Sequence, residues 1–537
     1  MGTRLELVWP NKDKFLLVPR DADGKPVWVE PTHPAAAEVR LSYFTGEVGE
    51  VGPDPYADNL LFTGDSLDVL RILCEVPEYR QHYRGKVKLI YIDPPFNTGQ
   101  TFTHYDDWME HSTWLSFMSE RLRLMRELLS PDGSIWVHLD DAEVHRMRCL
   151  MDEVFGAVNF VASVLWRSSD NSNNDAKQFS LDHNTMLVYS RAPGWTSRRL
   201  PAELSDLPHF KNPDDDPRGP WFDGNPLNSP SPRPDLMYDV LGPHGDVITH
   251  PPNGWRWSRD TMNERMATGE IRFTADGKGI RRRTYFADHR GLPPSTVWTD
   301  IGKTGASRQA KTELKRLFPG VPTRDLFDTP KPERLLERIM LVATEPGDVV
   351  VDLFGGSGTT AAVAHKMGRR WITAEVSPET VSTFTKPRLE KVVAGEDLGG
   401  ITSAVRWAGG GGLRVAEVRP SMYEVGPAGL VLLADWATNG KFSRAVAGQL
   451  GFEFEPDAAP FCGRRGRMRL AVLDGAVGPE EVRDLVGRLE ERERVTIVAK
   501  VVLPDTEDSL AKLSPGSRIR KAPRDLLTGA RRRRRQP

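Results

Sequence analysis

Residues 89–96 read Leu-Ile-Tyr-Ile-Asp-Pro-Pro-Phe. An apolar strand ends on an acid, Asp93. Two prolines, Pro94 and Pro95, then stiffen the chain before an aromatic ring, Phe96. In open α/β sheets ligands bind beyond the carboxyl ends of the strands. Prolines fix φ and lack an N–H, so they leave a rigid rim of carbonyls. A carboxylate and a carbonyl together can accept both hydrogens of an exocyclic amine. Phe96 offers a flat face on which a base can stack. The bland alternative is a proline-terminated strand with a capping aspartate.

A second stretch, residues 348–377, reads as strand, tight turn, helix, strand. The first strand ends at Asp352, and Phe354-Gly355-Gly356-Ser357-Gly358 makes the turn. Glycines let the backbone approach a ligand, and the helix beginning near Thr359 offers free N–H groups to a negative group. The next strand ends in an acid, Glu375, about 20 residues on, where Rossmann-like folds hold ribose hydroxyls. The pattern is FxGxG rather than GxGxxG and does not by itself specify the ligand. The alternative is a glycine turn that only packs helix on strand. An amine clamp and a nucleotide-type turn on parallel strands of one chain imply a two-substrate transferase. A dehydrogenase fits less well, because GxGxxG is missing and no acid or base for hydride transfer stands out.

Taken together, these stretches resemble the DNA amino-methyltransferases that use S-adenosylmethionine. Asp93-Pro94-Pro95-Phe96 is similar to that family's catalytic Asp/Ser/Asn-Pro-Pro-aromatic motif, and DLFGGSGTT (352–360) to its FxGxG motif. FDTPKPERLLERI (327–339) looks like the segment that precedes FxGxG and closes over the methionine. LLFTGDSLDVL (60–70) looks like the GD(N/S)LxxL stretch before the catalytic motif. The catalytic motif comes first, as in the permuted beta order, and DPPFNTG (93–99) resembles the modification subunits of type III restriction systems. The resemblance covers about residues 56–191 and 326–380. It departs at Phe96, where tyrosine is commoner, and at Gly355, where alanine is frequent.

The resemblance implies an α/β fold: a Rossmann-like methyltransferase sheet, mixed but mostly parallel, with an inserted target-recognition region. It implies a base flipped out of the duplex, with Asp93 and the Pro94 carbonyl on its amine and Phe96 stacked on it. Asp352, Phe354, Gly356, Ser357 and Gly358 would border S-adenosylmethionine. Glu375 would hold its ribose, Asp65 its methionine amine, and Pro332 would lie in the closing segment. No metal or covalent nucleophile is required. Asp93 favours N6-methyladenine as product, since cytosine-N4 enzymes more often carry serine there. N4-methylcytosine is the alternative, and a target-recognition subunit active only with a helicase-nuclease partner is another. The implied partners are double-stranded DNA, a second copy of the chain and an ATP-dependent restriction subunit.

The elements that must position these residues can be placed along the chain. Its 537 residues are 39% hydrophobic and 27% charged with a net charge of −2, so any nucleic-acid surface must be local. No apolar run approaches the ~20 residues of a membrane span, and the first residues lack a signal peptide's apolar core. With three scattered cysteines, this points to a reducing cytoplasm and no membrane partner. Residues 1–57 read as an irregular lead-in. Residues 58–191 and 329–399 read as the catalytic and cofactor halves of the core, with helices over 113–129, ending at a turn, and 331–345. Residues 192–328 form a loop-rich insert, with Arg281, Arg282 and Arg283 as candidate phosphate contacts and Trp255 and Trp257 for groove or single-strand contact. A basic surface over a small tryptophan core is the alternative there. Asp140 or Asp141 of HLDD (138–141) is expected to cap a helix. Residues 400–527 suggest a small C-terminal α/β domain able to dock a partner, and 528–537 a basic tail.

Overall fold

The computed structural model of the chain describes residues 6–18, 25–98, 109–224, 227–425 and 431–526. It forms two compact units, one of residues 1–197 with 295–537 and one of Arg198–Pro294. The expected basic tail lies outside the described residues.

A ten-stranded sheet organises the first unit. In order across the sheet, the strands are Val297–Trp298, Phe160–Arg167, His183–Ser190, Leu129–Leu139, Val87–Ile92, Val349–Asp352, Arg370–Glu375, Leu60–Thr63, Gly412–Val418 and Ser42–Gly49. The six from Leu129–Leu139 to Gly412–Val418 are parallel. His183–Ser190 and the Ser42–Gly49 edge run antiparallel to their neighbours. The central strands are apolar runs because both faces are covered. Leu60, Leu61, Phe62, Leu89, Ile90, Ile92, Val350 and Val351 are fully buried, each such side chain contributing roughly 1.5–3 kcal/mol.

The register sets the two motifs side by side, with Val350 opposite Leu89 and Val351 opposite Ile90. From this pair the chain leaves in opposite directions. After Val87–Ile92 it goes to Leu129–Leu139 on one side, and after Val349–Asp352 to Arg370–Glu375 on the other. Such a divergence opens a crevice at the carboxyl ends of the two strands.

Helix His111–Leu128 buries Leu115, Met118, Leu122 and Met125, the apolar stripe of the sequence. Leu129 instead starts a strand, and Ser130–Gly133 continues it as an irregularity in register rather than a free turn. Helix Glu333–Ala343 starts just after Pro332, which stands at its N-cap in an extended conformation.

The domain limits differ from those expected. The insert is shorter at both ends, because Val297–Trp298 pairs in parallel with Phe160–Arg167. Helix Ser307–Leu317 likewise buries Leu314 and Leu317 with Phe327 and Phe384. The lead-in is not wholly irregular, since Ser42–Gly49 forms an edge of the main sheet. Gly412–Val418 also belongs to that sheet, so the small C-terminal sheet starts later, at Glu453, and ends at Lys521. Its strands Met468–Val477, Arg494–Val502 and Arg518–Lys521 are parallel, with helices Pro479–Gly487 and Thr506–Leu513 between them.

The Arg198–Pro294 unit has a three-stranded antiparallel sheet, Ile271–Phe273, Ile280–Tyr285 and Trp221–Gly224. Its core gathers Leu227, Ile248, Trp255, Met262 and Ile271.

Candidate active site

A cavity of about 400 Å³ opens in the crevice between the two motifs, within the range of small-molecule sites. Its lining includes Asp65, Asp93, Pro94, Pro95, Phe96, Asp352, Phe354, Gly356, Ser357 and Glu375. Gly358 and Pro332 stand back from it. Gly358, at φ +79°, caps helix Thr359–Lys366, and Pro332 caps helix Glu333–Ala343.

The Asp93–Asn97 segment is held from behind. The Trp114 indole donates to the Pro95 carbonyl at 2.8 Å. Asn97, in the left-handed region at φ +62°, donates to the fully buried Glu143 at 2.7 Å and accepts from the Met109 amide at 2.6 Å. His111 also meets Glu143, at 2.5 Å. His138 stacks near Phe96, with centroids 5.8 Å apart, and pairs with the Tyr91 hydroxyl at 2.8 Å. Burial above all, then the nearby Lys331 charge, holds the His138 pKa well below the usual imidazole range. Its ring is therefore neutral support for Phe96.

Lys331 is the residue the motifs did not single out. Its ammonium pairs with Asp93 Oδ2 and lies 5.3 Å from the Phe96 ring centroid. It therefore occupies both the acceptor and the ring face that the sequence assigns to a base. Its neighbours in PKP offer only fixed backbone, so its position at the cavity could not be read from spacing.

On the other wall, Asp352 is buried, accepting from the Phe354 amide at 3.0 Å and the Thr360 hydroxyl at 2.5 Å. Burial pushes its pKa up to about 7; the two hydrogen bonds lower it and the charges of Asp93 and Glu375 add to the rise. Glu375 accepts from the Gly356 amide at 2.9 Å and the Ser377 amide at 3.0 Å, and burial raises its pKa. At Gly356, φ is +48°, and an added Cβ would come within 2.9 Å of the Phe327 ring. At Gly355 it would lie 2.4 Å from the Thr373 hydroxyl. The turn is thus a close-fitting cradle that requires glycine at Gly356, and it fits an adenosyl group bordered by Phe354 and Glu375.

Two placements differ from expectation, and Asp65 has partners that the sequence did not show. Asp65 lines the cavity, but its carboxylate caps helix Ser66–Glu75 and takes both Arg121 contacts, at 2.9 and 2.8 Å. Asp140 also lines the cavity; it accepts from the Ala142 amide at 2.9 Å in a turn, while Glu143 stands at the N-cap of the following helix. In the separate insert unit, Trp255 is a core residue, 3% exposed, with its indole donating to the Tyr238 carbonyl at 2.6 Å. Arg283 is tied to Asp214 and Asp216 and Arg282 to Glu270, whereas Arg281 is exposed. Trp257 packs under Arg265 and Arg282. Carboxylates thus neutralise most of the charge expected to face phosphates there.

Among the described residues no group of three or more His, Cys, Asp or Glu is arranged to hold a metal ion. None of their helices is long and apolar enough to cross a membrane.

A family model of the N6/N4 DNA methylases matches residues 87–386, and the chain belongs to that family. It is similar to the type III restriction-modification enzyme StyLTI Mod subunit of Salmonella typhimurium, 32% identical over 343 residues, 56% of this chain and 49% of that one. It is also similar to the probable type III HindVI Mod subunit of Haemophilus influenzae, 28% identical over 70% of this chain and 56% of that one. The type II methyltransferase M.EcaI of Enterobacter cloacae is 29% identical over 72% of this chain and 78% of its own length. The chain spans about half the length of the first two of these relatives. Among solved structures, the cytosine-N4-specific PvuII DNA methyltransferase aligns with a TM-score of 0.34 and 17% identity, over 63% of this chain and 90% of that one.

Proposed function

We propose that the chain methylates the N6 amine of an adenine flipped out of double-stranded DNA, as the modification component of a restriction system. The observation that carries this is the adjacency of Asp93-Pro94-Pro95-Phe96 and the glycine turn on neighbouring parallel strands, facing one cavity. Bound S-adenosylmethionine supplies an electrophilic methyl on its sulfonium. Phe354, the Gly355–Gly358 turn and Glu375 are the residues that would hold it.

Asp93 and the Pro94 carbonyl accept the two amine hydrogens and so turn the nitrogen lone pair toward the cofactor wall. Positioning of this kind supplies much of the rate in bimolecular transfers. Phe96, supported by Pro95, His138 and the Asn97–Glu143 contact, fixes the plane of the base. Lys331 must first release Asp93, which also removes a positive charge from beside a nitrogen that becomes cationic as it is alkylated. Asp93 then takes the proton that the alkylated amine sheds.

The likeness to type III Mod subunits supports a place in a restriction-modification pair, with a restriction subunit and a second copy as partners and the 198–294 unit reading sequence, while Asp93 at the head of the motif favours adenine. The test is transfer of labelled methyl from S-adenosylmethionine to unmethylated duplex DNA by the chain alone. Transfer that falls by roughly 10²-fold or more in Asp93→Ala supports the assignment. Transfer unchanged in that variant overturns it.

A further inference from the structure

The expected phosphate contacts of the 198–294 unit are largely spent, since Arg218, Arg265, Arg272, Arg282 and Arg283 each pair with an aspartate or glutamate. The C-terminal sheet shows the reverse. Cross-strand pairing sets Arg465 opposite Met468 and Met468 opposite Arg494, while Thr496, two residues on, stands opposite Arg518. Side chains alternate along strands, so Arg465, Arg494, Arg518 and Arg520 share one face. The same face buries Leu470 and Val498 in the main core, so the arginines stand on its rim.

Arg465 and Arg518 are exposed, Arg494 and Arg520 half-buried, and Arg467 lies exposed in the adjoining turn. Where these arginines hydrogen-bond, the acceptors are backbone carbonyls: Leu450 for Arg465, Pro515 and Glu493 for Arg494, Asp525 for Arg520. None of the five forms an ion pair with a carboxylate among the described residues. Asp525, which partly offsets Arg520, is paired with Arg524 at 2.9 Å. Burial, then the charges of Arg518, Arg520 and Arg80, lowers the Arg465 pKa. Clustered guanidiniums without carboxylates repel one another and leave their forked donors available. That arrangement fits phosphate oxygens, and strands about 4.8 Å apart spread the charges along a line.

We propose that this arginine rim of the C-terminal α/β unit, Arg465, Arg467, Arg494, Arg518 and Arg520, grips the phosphate backbone of DNA without reading its sequence. The rim supplies affinity and leaves sequence reading to another part of the chain. The inference rests on DNA being the substrate.

The test is anisotropy titration of the full chain with a labelled random-sequence duplex over a range of salt concentrations. The variants are R465Q/R518Q/R520Q and, because Arg465 and Arg520 also bond backbone carbonyls, the milder R467Q/R518Q. S-adenosylmethionine binding and thermal melting report that each is folded. The triple variant is expected to bind about tenfold or more weakly at moderate salt, with a log–log salt slope shallower by about 2 to 3, and the double variant by about 1 to 2. A folded variant with unchanged affinity and slope overturns the proposal. So does unchanged DNA binding with loss of a co-purifying acidic protein. If the unaltered chain binds DNA and methylates it while the variants match it, only this inference falls. If the unaltered chain does not bind DNA, the proposed function falls with it.

Discussion

Asp93 and Lys331 form an ion pair in the seat that the chemistry reserves for a base. A donor that holds Asp93 and covers the Phe96 ring competes with every base that enters. Lys331→Met keeps the length of the side chain and removes the charge, so it should lower KM for DNA by roughly tenfold while kcat is retained. Steady-state kinetics on a duplex substrate would show this; a collapse of kcat with KM unchanged would mean that Lys331 instead holds Asp93 in its working orientation. Asp352 makes a pH prediction. Its folded pKa is raised from 3.8 to about 7, so its contribution to stability is complete below about pH 4 and lost as pH rises through 7. Asp352→Asn can still accept from the Phe354 amide and can donate to the Thr360 hydroxyl instead, and it should flatten that loss, which amounts to at most about 4 kcal/mol by pH 8. Urea unfolding at pH 5 and pH 8 would reveal an unchanged slope if the idea is wrong. The place of Asp93, Phe96 and Glu375 in the lining of one cavity was legible, because crevices form beyond the carboxyl ends of parallel strands. Lys331 was not, because a single lysine between prolines carries no period and no spacing. The Arg121 pair of Asp65 was not legible, because it joins residues 56 apart and depends on tertiary structure.

Behind the glycine turn, helices are locked by a buried charge network. Lys366, on the helix after the glycine turn, meets Glu333 at 2.8 Å and Asp397 at 2.7 Å, and Arg388 meets both Glu333 and Thr359. Glu333 opens the helix that follows Lys331 and Pro332, so the network fixes the closing segment against the cofactor turn. Removing one partner leaves buried charges uncompensated. Lys366→Met should therefore cost about 3–5 kcal/mol of stability and weaken S-adenosylmethionine binding, measured by urea unfolding and calorimetry. A loss under 1 kcal/mol would show that the network is not needed. Helices 111–128 and 333–343 were legible from the 3.6-residue period, and the central strands from their apolar runs. The edge strand Ser42–Gly49 and its neighbour Gly412–Val418 were not legible. They alternate polar and apolar residues among glycines, and they pair with each other across more than 360 residues of chain.

At the level of the whole chain, the insert and the C-terminal sheet differ in how their arginines are paired, which composition alone could not separate. A basic sequence such as Arg281-Arg282-Arg283 shows charge but not pairing, and the carboxylates that neutralise it come from distant residues such as Asp214 and Asp216. Trp255→Ala should therefore disrupt the 198–294 unit, at about 3–5 kcal/mol, whereas Arg281→Ala should leave it folded. Limited proteolysis of the two variants distinguishes them, and equal resistance would contradict the placement of Trp255 in a core.

Product chemistry shows whether the cavity sets an amine-accepting carboxylate against a cofactor turn. Purified chain, S-adenosylmethionine and unmethylated duplex DNA would be incubated, the DNA digested to nucleosides, and the methylated nucleoside identified by mass spectrometry beside an Asp93→Ala control. The prediction is N6-methyladenine that disappears in the control. N4-methylcytosine would contradict the choice of base, and a methylated product that persists in Asp93→Ala would contradict the site itself.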